Sequence, residues 1–188
     1  MISERVRAHY ERLWGPPARQ AFFRKGPHAV HVFKWDRDAH PDEVYFYATA
    51  GASDHPLPGL DAAHRMEVYV GFTAAVDGVA ETLADIALHP VLHGTALGHG
   101  HGIAYPAPLW PGTAMDTALL VLPPADEEIV PRLDAGPEAH VEFLQVMPLF
   151  PSEAAYRRLH GTAGLLARWD EDRVPYWNPH RPPPAFAP

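Results

Sequence analysis

Four histidines lying close together in the sequence are the residues best suited to chemistry. Three residues separate His89 from His93, and one separates His99 from His101. Neutral imidazole binds zinc, copper, nickel and iron. His99 and His101 would project together from an extended segment and chelate, whereas Pro90 is expected to end the helix before His93. A metal-dependent hydrolase that uses the His89–His101 cluster, with His99 and His101 as the metal ligands, is therefore our alternative. Our main expectation is a histidine-rich surface loop with no metal and no cofactor.

The sequence argues against nucleotide binding and against a serine nucleophile. The Gly-x-Gly-x-Gly run at 98–102 lacks the spacing of the dinucleotide fingerprint, and no lysine follows it as in a P-loop. Of the three serines, Ser3 and Ser152 are predicted helix caps. Ser53 lacks the second glycine of a nucleophile elbow, and we expect it to close a turn. We therefore predict no catalytic residue and no enzymatic activity.

Residues suited to binding occur in two places. Arg65 and Glu67 lie on one face of a predicted strand, where we expect a structural salt bridge with a partner such as Glu153. A polar patch that recognises a ligand is the alternative. The stretch 105–110 sets two aromatics among prolines, and such rigid aromatics serve as interface anchors or cover the end of a sheet. The candidate partner-binding residues are Ser53, Arg65, Glu67, Tyr105, Leu109 and Trp110.

The elements that must position these residues are organised around the segment 141–161. An alternating strand leads through Pro148 and Pro151, which are expected to stop strand pairing, into a helix that Gly161 interrupts. Apolar periodicity predicts the remaining elements. They are helices at 2–14, 79–88 and 162–169, and strands at 29–35, 44–50, 65–72, 102–105 and 117–122.

Strands that follow one another with few crossover helices predict an α+β fold, with a mixed or mostly antiparallel sheet and helices packed against it. We predict a single domain over residues 1–174. The stretch 175–188 contains six prolines. It is therefore expected to be an extended or disordered tail.

Composition and charge restrict the function further. The chain has 188 residues and no cysteine, which fits a reducing compartment and makes the cytoplasm the default location. No stretch approaches the length of an apolar membrane span, so we expect no membrane association. The net charge of −8 argues against nucleic-acid binding and permits attraction to a basic partner.

Several short motifs, taken in order, resemble one known family. The first half supplies Thr49-Ala50-Gly51-Ala52-Ser53, Arg65-Met66-Glu67 and Leu83-Ala84-Asp85-Ile86-Ala87. The second half supplies Gly98-His99-Gly100-His101-Gly102 before Pro108-Leu109, then Leu119-Leu120-Val121, the run from Val141 to Leu149, and Glu153. Together they resemble the suppressor-of-fused (SUFU-like) domain family over about residues 28–177.

The resemblance implies a protein-binding domain rather than an enzyme. Animal members of the family grip an extended peptide of a transcription factor between two lobes, and bacterial single-domain members are regarded as immunity proteins that neutralise toxins. This chain is similar to the bacterial branch because no second lobe follows its last predicted helix. We therefore expect a cytoplasmic protein that binds another protein, such as a basic toxin. A homodimer formed by pairing of sheet edges is a further possibility.

Overall fold

One mixed β-sheet organises the computed structural model, which describes residues 1–124, 127–136 and 139–185. Three helices and eight strands occur in the described ranges, together with short 3₁₀ turns at Arg37–Ala39 and Ala52–Asp54. The helices are α1 (Ile2–Trp14), α2 (Val79–His93) and α3 (Pro151–Glu171). The strands are β1 (Arg19–Lys25), β2 (His28–Trp35), β3 (Tyr45–Ala50), β4 (His64–Phe72), β5 (Gly102–Ala104), β6 (Thr117–Val121), β7 (Leu133–Asp134) and β8 (His140–Leu149).

The strands are ordered β1-β2-β3-β4-β8-β6-β5 across the sheet, and β7 pairs with the beginning of β8. β1 to β4 form an antiparallel meander. β4 and β8 run parallel, whereas β8–β6 and β6–β5 are antiparallel again. The predicted α+β class with a mixed sheet is confirmed.

Helices cover both faces of this sheet. α2 packs on one face, where Leu83 and Ile86 meet Val68 of β4 and Leu144 of β8 in the largest apolar cluster. α1 and α3 lie on the opposite face and have separate apolar clusters. Side chains alternate along each central strand, so a strand that is buried on both faces contributes side chains to the apolar clusters on both sides of the sheet.

The end of the meander beneath α1 is built from aromatic rings. Val6, Tyr10 and Trp14 recur at helical spacing on α1 and are its buried residues. The Trp14 ring stacks on Phe46 at 4.7 Å between centroids and meets Trp35 edge-on at 5.0 Å. The predicted helix at 2–14 is confirmed with its boundaries.

Prolines interrupt the structure less than the sequence suggests. Pro90 lies inside α2, which continues to His93, so the prediction that it ends the helix is wrong. Pro148 belongs to β8 and is the register partner of Ala118, so the predicted stop to pairing is also wrong. The predicted break at Gly161 is confirmed, since φ 76° and ψ 173° kink α3 there.

Two further expectations about local structure, both predicted helix caps, differ from the structure. Ser3 does not cap α1, because its amide and hydroxyl donate to the Asp54 carboxylate at 3.0 and 2.6 Å. Ser152 lies within α3, which begins at Pro151. The edge strand β1 and the two-residue β7 were not predicted. β1 is mostly exposed and polar, and so carries little apolar alternation.

The proline-rich segment after α3 packs on the rest of the fold. The Thr73 amide donates to the Trp177 carbonyl at 2.9 Å, and the Trp177 ring lies against Gly71, where an added Cβ would come within 2.6 Å of it. Further along, the Arg181 side chain is buried. Within the described ranges, every helix is too short or too polar to span a lipid bilayer.

Candidate functional site

An open groove of about 660 Å³ lies between the first turns of α2 and the loop that follows β5. Its lining includes three of the candidate partner-binding residues, Tyr105, Leu109 and Trp110. The loop 106–108 is exposed, Tyr105 is half-buried, and Leu109 and Trp110 are buried in the core beneath α2. The sequence left open whether this stretch anchors an interface or covers the end of the sheet. Leu109 and Trp110 cover the sheet, whereas the prolines and Tyr105 form an accessible wall.

Backbone hydrogen bonds and packing hold the loop rigidly. The amides of Tyr105 and Leu109 donate to the carbonyls of Asp116 and Met115 at 2.8 and 2.9 Å. The Thr82 hydroxyl of α2 donates to the Leu109 carbonyl. Rigid prolines and fixed backbone reduce the entropy that ordering would cost on binding.

Close contact at the start of α2 completes the groove. Gly78 has φ +84°, and a Cβ added there would lie 2.9 Å from Cδ of Pro111. The Trp110 ring meets Phe72 edge-on, with 5.4 Å between ring centroids. A side chain larger than glycine at position 78 would push the loop away from the helix.

The helical side of the groove is acidic. Glu81 and Asp85, one turn apart on α2, both line it. Asp85 forms an exposed ion pair of 2.6 Å with Lys25, and Glu81 makes no ion pair with the residues that the structure describes. Burial, and secondarily the Asp85 carboxylate, raise the pKa of Tyr105 far above its usual value, so its hydroxyl remains a hydrogen-bond donor at neutral pH. The groove therefore combines an apolar wall with negative charge.

Ser53 and Glu67 belong to a buried network, not to the surface. β3 and β4 separate beyond the pair Ala48–Tyr69, and the Glu67 carboxylate fills the gap. It accepts hydrogen bonds from the Thr49 hydroxyl at 2.7 Å, the Gly51 amide at 2.8 Å, the Ser53 amide at 2.9 Å and the Ser53 hydroxyl at 2.6 Å. The motif 49–53 and Glu67 are thus parts of one structural unit.

Neither Arg65 nor Glu67 forms the expected salt bridge with a partner such as Glu153 in the described structure. The Arg65 guanidinium donates to the Ala62 and His64 carbonyls, whereas Glu67 binds only neutral donors among the described residues. The prediction of an ion pair is therefore wrong, since hydroxyl and amide donors satisfy the carboxylate. That Ser53, Arg65 and Glu67 contact a partner remains a prediction, and Arg65 is the one of the three with exposed area.

Glu153 has a different partner from the one expected. Arg181 binds it with both terminal nitrogens, Nη1 to Oε1 at 2.8 Å and Nη2 to Oε2 at 2.7 Å. Trp169 Nε1 donates to Oε1 at 2.8 Å, and the Phe150 amide donates to Oε2 at 2.8 Å. The Arg181 guanidinium also lies over the rings of Phe150 and Trp169. A bidentate ion pair thus fastens the proline-rich segment to the start of α3.

The predicted histidine cluster does not converge on one point in the described structure. His99 and His101 each accept a backbone amide hydrogen bond on Nδ1, from Leu122 at 3.1 Å and from Gly98 at 2.9 Å. His89 and His93 instead share a face of α2, with 4.4 Å between their rings, because Pro90 does not end the helix. The histidines at 99 and 101 therefore stabilise the loop, and within the described ranges they belong to no group of three potential metal ligands, as the hydrolase alternative would require.

Two features of this region were missed at the level of sequence. Glu81 and Asp85 have the i, i+4 spacing of neighbours on one helix face, and that spacing was the available signal. Arg181 had no comparable signal, since one arginine among prolines shows no periodicity.

A second cavity of about 620 Å³ lies on the other face of the sheet, beside the end of α3. Its lining combines aromatic and apolar side chains with Gln145, Asp170 and Arg173. The segment carrying Tyr176 and Trp177 forms one of its walls. Unlike the groove beside α2, it contains both signs of charge at its rim.

Comparison with known structures finds proteins that share the fold of this chain. A SUFU homologue from Neisseria gonorrhoeae FA 1090 superimposes with a TM-score of 0.75 and 18% identity, over 100% of this chain and 98% of that one. The Sufu–Fu complex matches with a TM-score of 0.64 and 15% identity, over 87% of this chain and 82% of that one. Drosophila Suppressor of Fused matches with a TM-score of 0.67 and 17% identity, over 94% of this chain but 49% of that one. No curated protein sequence matches the chain.

The family model for the suppressor of fused protein (SUFU) matches residues 25–182. This range includes the groove, the Glu67 network and both partners of the Glu153–Arg181 ion pair. The match confirms the resemblance found in the sequence motifs and extends it to Arg181. The chain belongs to the SUFU family.

Proposed function

We propose that this chain is a protein-binding domain without enzymatic activity, and that it acts as an immunity protein by covering a basic toxin. The observation that carries the proposal is the groove beside α2, in which a rigid apolar wall faces Glu81 and Asp85. Such a groove offers a partner both an anchoring surface and charge.

The placement of the polar side chains supports binding over catalysis. Glu67, Ser53 and Glu153 are fully buried and use their hydrogen-bonding capacity within the fold. A catalytic base or nucleophile needs access to substrate, which these groups lack. The Sufu–Fu complex, one of the structural relatives, contains a member of the same family bound to another protein.

The charge of the chain supports a basic partner. The net charge is −8, and Glu81 and Asp85 place part of the negative charge at the groove. Complementary charge speeds diffusional encounter and makes it sensitive to salt. A basic nuclease-like toxin satisfies both conditions, and the cytoplasm is the compartment where an immunity protein would meet it.

The proposal is tested by capturing partners from cells that make the protein, with the purified chain as bait at low and high salt. Glu81→Lys reverses charge at the groove, and Asp38→Lys makes the same change in net charge at an exposed position outside it. We expect one basic protein to be captured and released by salt. Glu81→Lys should weaken its binding about tenfold or more, because apposed like charges cost several kcal/mol.

The control variant separates a local effect from a global one. Asp38→Lys is expected to retain affinity within about twofold, because Asp38 is exposed and does not line the groove. Equal losses in both variants would place the partner elsewhere on the surface. If a partner is captured and its binding changes neither with salt nor with Glu81→Lys, both the groove as the binding site and the basic character of the partner are contradicted.

Pairing of the chain with a copy of itself has a clear candidate surface but an unfavourable charge. β1 is an edge strand and carries the exposed side chains of Arg19, Arg24 and Lys25. Cations on an edge strand oppose edge-to-edge pairing. We therefore propose that the free chain is monomeric at low concentration, and light scattering on the purified protein tests this directly.

A further inference from the structure

Three metal-binding side chains meet at one end of the parallel β4–β8 pair. His64 begins β4, His140 begins β8, and the two residues are register partners. Glu142 follows His140 by two residues, so all three side chains project from the same face of the sheet. None of them is among the histidines that the sequence singles out.

The geometry brings their ligand atoms together. His64 Nε2 lies 3.6 Å from Glu142 Oε1. The rings of His64 and His140 have 4.2 Å between centroids and are nearly perpendicular, at 82°. One ligand atom from each of the three residues lies within 4.8 Å of the other two, and this is the one such group found in the described part of the chain.

One of these atoms has no partner within the described structure. His140 Nε2 is buried, yet no hydrogen bond reaches it from the described residues. Buried polar atoms are normally paired, and a bound ion or water is one explanation for an unpaired one in a native fold. Here the unpaired atom lies beside two other metal-binding side chains. His64 and Glu142 keep about a third of their side-chain area exposed, at 38% and 28%, so an ion can enter from solvent.

The backbone around His140 is fixed on both sides. Its amide donates to the Ala63 carbonyl at 2.9 Å, beside β4. On its other side His140 pairs with Asp134 of β7. Two cations lie nearby and would oppose a metal. Arg132 lies 3.6 Å from the Asp134 carboxylate, and the Arg65 guanidinium donates to the Ala62 and His64 carbonyls. The backbone of the site is therefore held in place, and the Arg132 charge is balanced by Asp134.

We propose that His64, His140 and Glu142 bind one divalent transition-metal ion, of which Zn²⁺ is the best match. Two imidazole nitrogens and one carboxylate oxygen form a ligand set that zinc accepts, with a fourth position left for water. Zn–N distances of about 2.0–2.1 Å require ligand atoms about 3.4 Å apart, so small side-chain rotations complete the site. The bound ion would join β4 to β8 at their first residues. This inference is independent of the partner proposed above.

Isothermal titration of the metal-free full chain with ZnCl₂ tests the site. We expect saturation at one ion per chain. His140→Gln and Glu142→Gln should each weaken binding by at least about tenfold, because even outer-shell changes cost a metal site 10–100-fold. The double variant His89→Gln/His93→Gln is the matched control, since it removes an equally close histidine pair on α2. It should leave the affinity unchanged.

Circular dichroism checks whether each variant is folded. If His140→Gln does not fold, Glu142→Gln alone tests whether the site binds the metal. A rise in melting temperature with Zn²⁺ that is lost in Glu142→Gln would give independent support. Two results would overturn the site. One is binding abolished by the α2 double variant and kept in Glu142→Gln, and the other is the lack of any saturable heat in the wild-type chain.

Discussion

Glu67 and Glu153 are two carboxylates with no solvent exposure, and the fold satisfies them in opposite ways. Glu67 receives its hydrogen bonds from the neutral groups of one short segment, the Thr49 hydroxyl, the Gly51 amide and the amide and hydroxyl of Ser53. Glu153 binds the guanidinium of Arg181, which comes from the proline-rich segment beyond α3. One carboxylate lacks a cation among its described partners, and the other has a bidentate one.

The difference shows what each network does for the fold. Glu67 closes a gap inside the sheet, where the Thr49 hydroxyl also bonds the Val68 backbone in place of strand pairing. Glu153 instead attaches a distant segment that has no helix or strand to hold it. A neutral network preserves local shape, whereas an ion pair between distant segments depends on both charges being present.

The largest loss of stability is expected from removing the guanidinium of Arg181. Arg181→Ala leaves the Glu153 carboxylate buried without its charge partner, and breaking a buried pair in this way costs about 3–5 kcal/mol. Urea unfolding followed by circular dichroism measures the loss. Arg158→Ala removes an exposed arginine of α3 and should change stability by less than about 0.5 kcal/mol. Equal stability of the two variants would mean that the ion pair contributes nothing.

An intermediate effect is expected in the neutral network. Ser53→Ala removes the 2.6 Å hydroxyl contact to Glu67 but keeps the backbone amide contact, so about 1.5–3 kcal/mol should be lost. Ser152→Ala, at an exposed position of α3, is the control and should cost less than about 0.5 kcal/mol. A loss for Ser53→Ala as large as that for Arg181→Ala would remove the distinction between the two networks.

The smallest effect is expected in the dependence of stability on pH. Burial raises the pKa of Glu67, against the opposing effect of its hydrogen bonds from Ser53, Thr49 and Gly51. A raised pKa means that the folded state holds the proton more tightly than the unfolded state, whose value is near 4.5. This contribution to stability is therefore fully present below about pH 4.5 and is lost as pH rises through the folded pKa.

Comparison with Glu67→Gln isolates this contribution, because glutamine does not titrate. As pH falls from 7 towards 4.5, the stability of the wild type relative to Glu67→Gln should rise, by less than the limit of about 1.4 kcal/mol per pH unit for one proton. Unfolding curves across this range measure the difference. A constant difference would show that Glu67 is ionised throughout.

The sequence predicts the central elements because their signals are local. The alternation of 29–35 and 44–50 gives the β2–β3 hairpin, and the spacing of Val6, Tyr10 and Trp14 gives α1. Pro90 and Pro148 mislead because tertiary packing outweighs local preference. α2 and β8 continue through them, since the surrounding core holds the backbone in place.

The networks are harder to predict because their partners are separated in the chain. The motif 49–53 and Glu67 are each visible in the sequence, but charge reasoning suggests a salt bridge for Glu67 instead of the uncharged donors that bind it. The pairing of Glu153 with Arg181 depends on where an irregular segment is placed. Side chains that converge from β4 and β8, such as His64 and His140, become neighbours only when the strand order is known.

The parallel contact between β4 and β8 is expected to form late in folding. β1 to β4 each pair with the next strand along the chain, and only two residues join β1 to β2, so this part of the sheet can form early. β4 and β8 are separated along the chain by α2 and three strands. Closing such a long loop costs conformational entropy, so we expect the β4–β8 contact to form after the β1–β4 meander. Until β8 arrives, the free edge of β4 is open to pairing with other chains. Aggregation during refolding should therefore depend on how quickly this one contact is made.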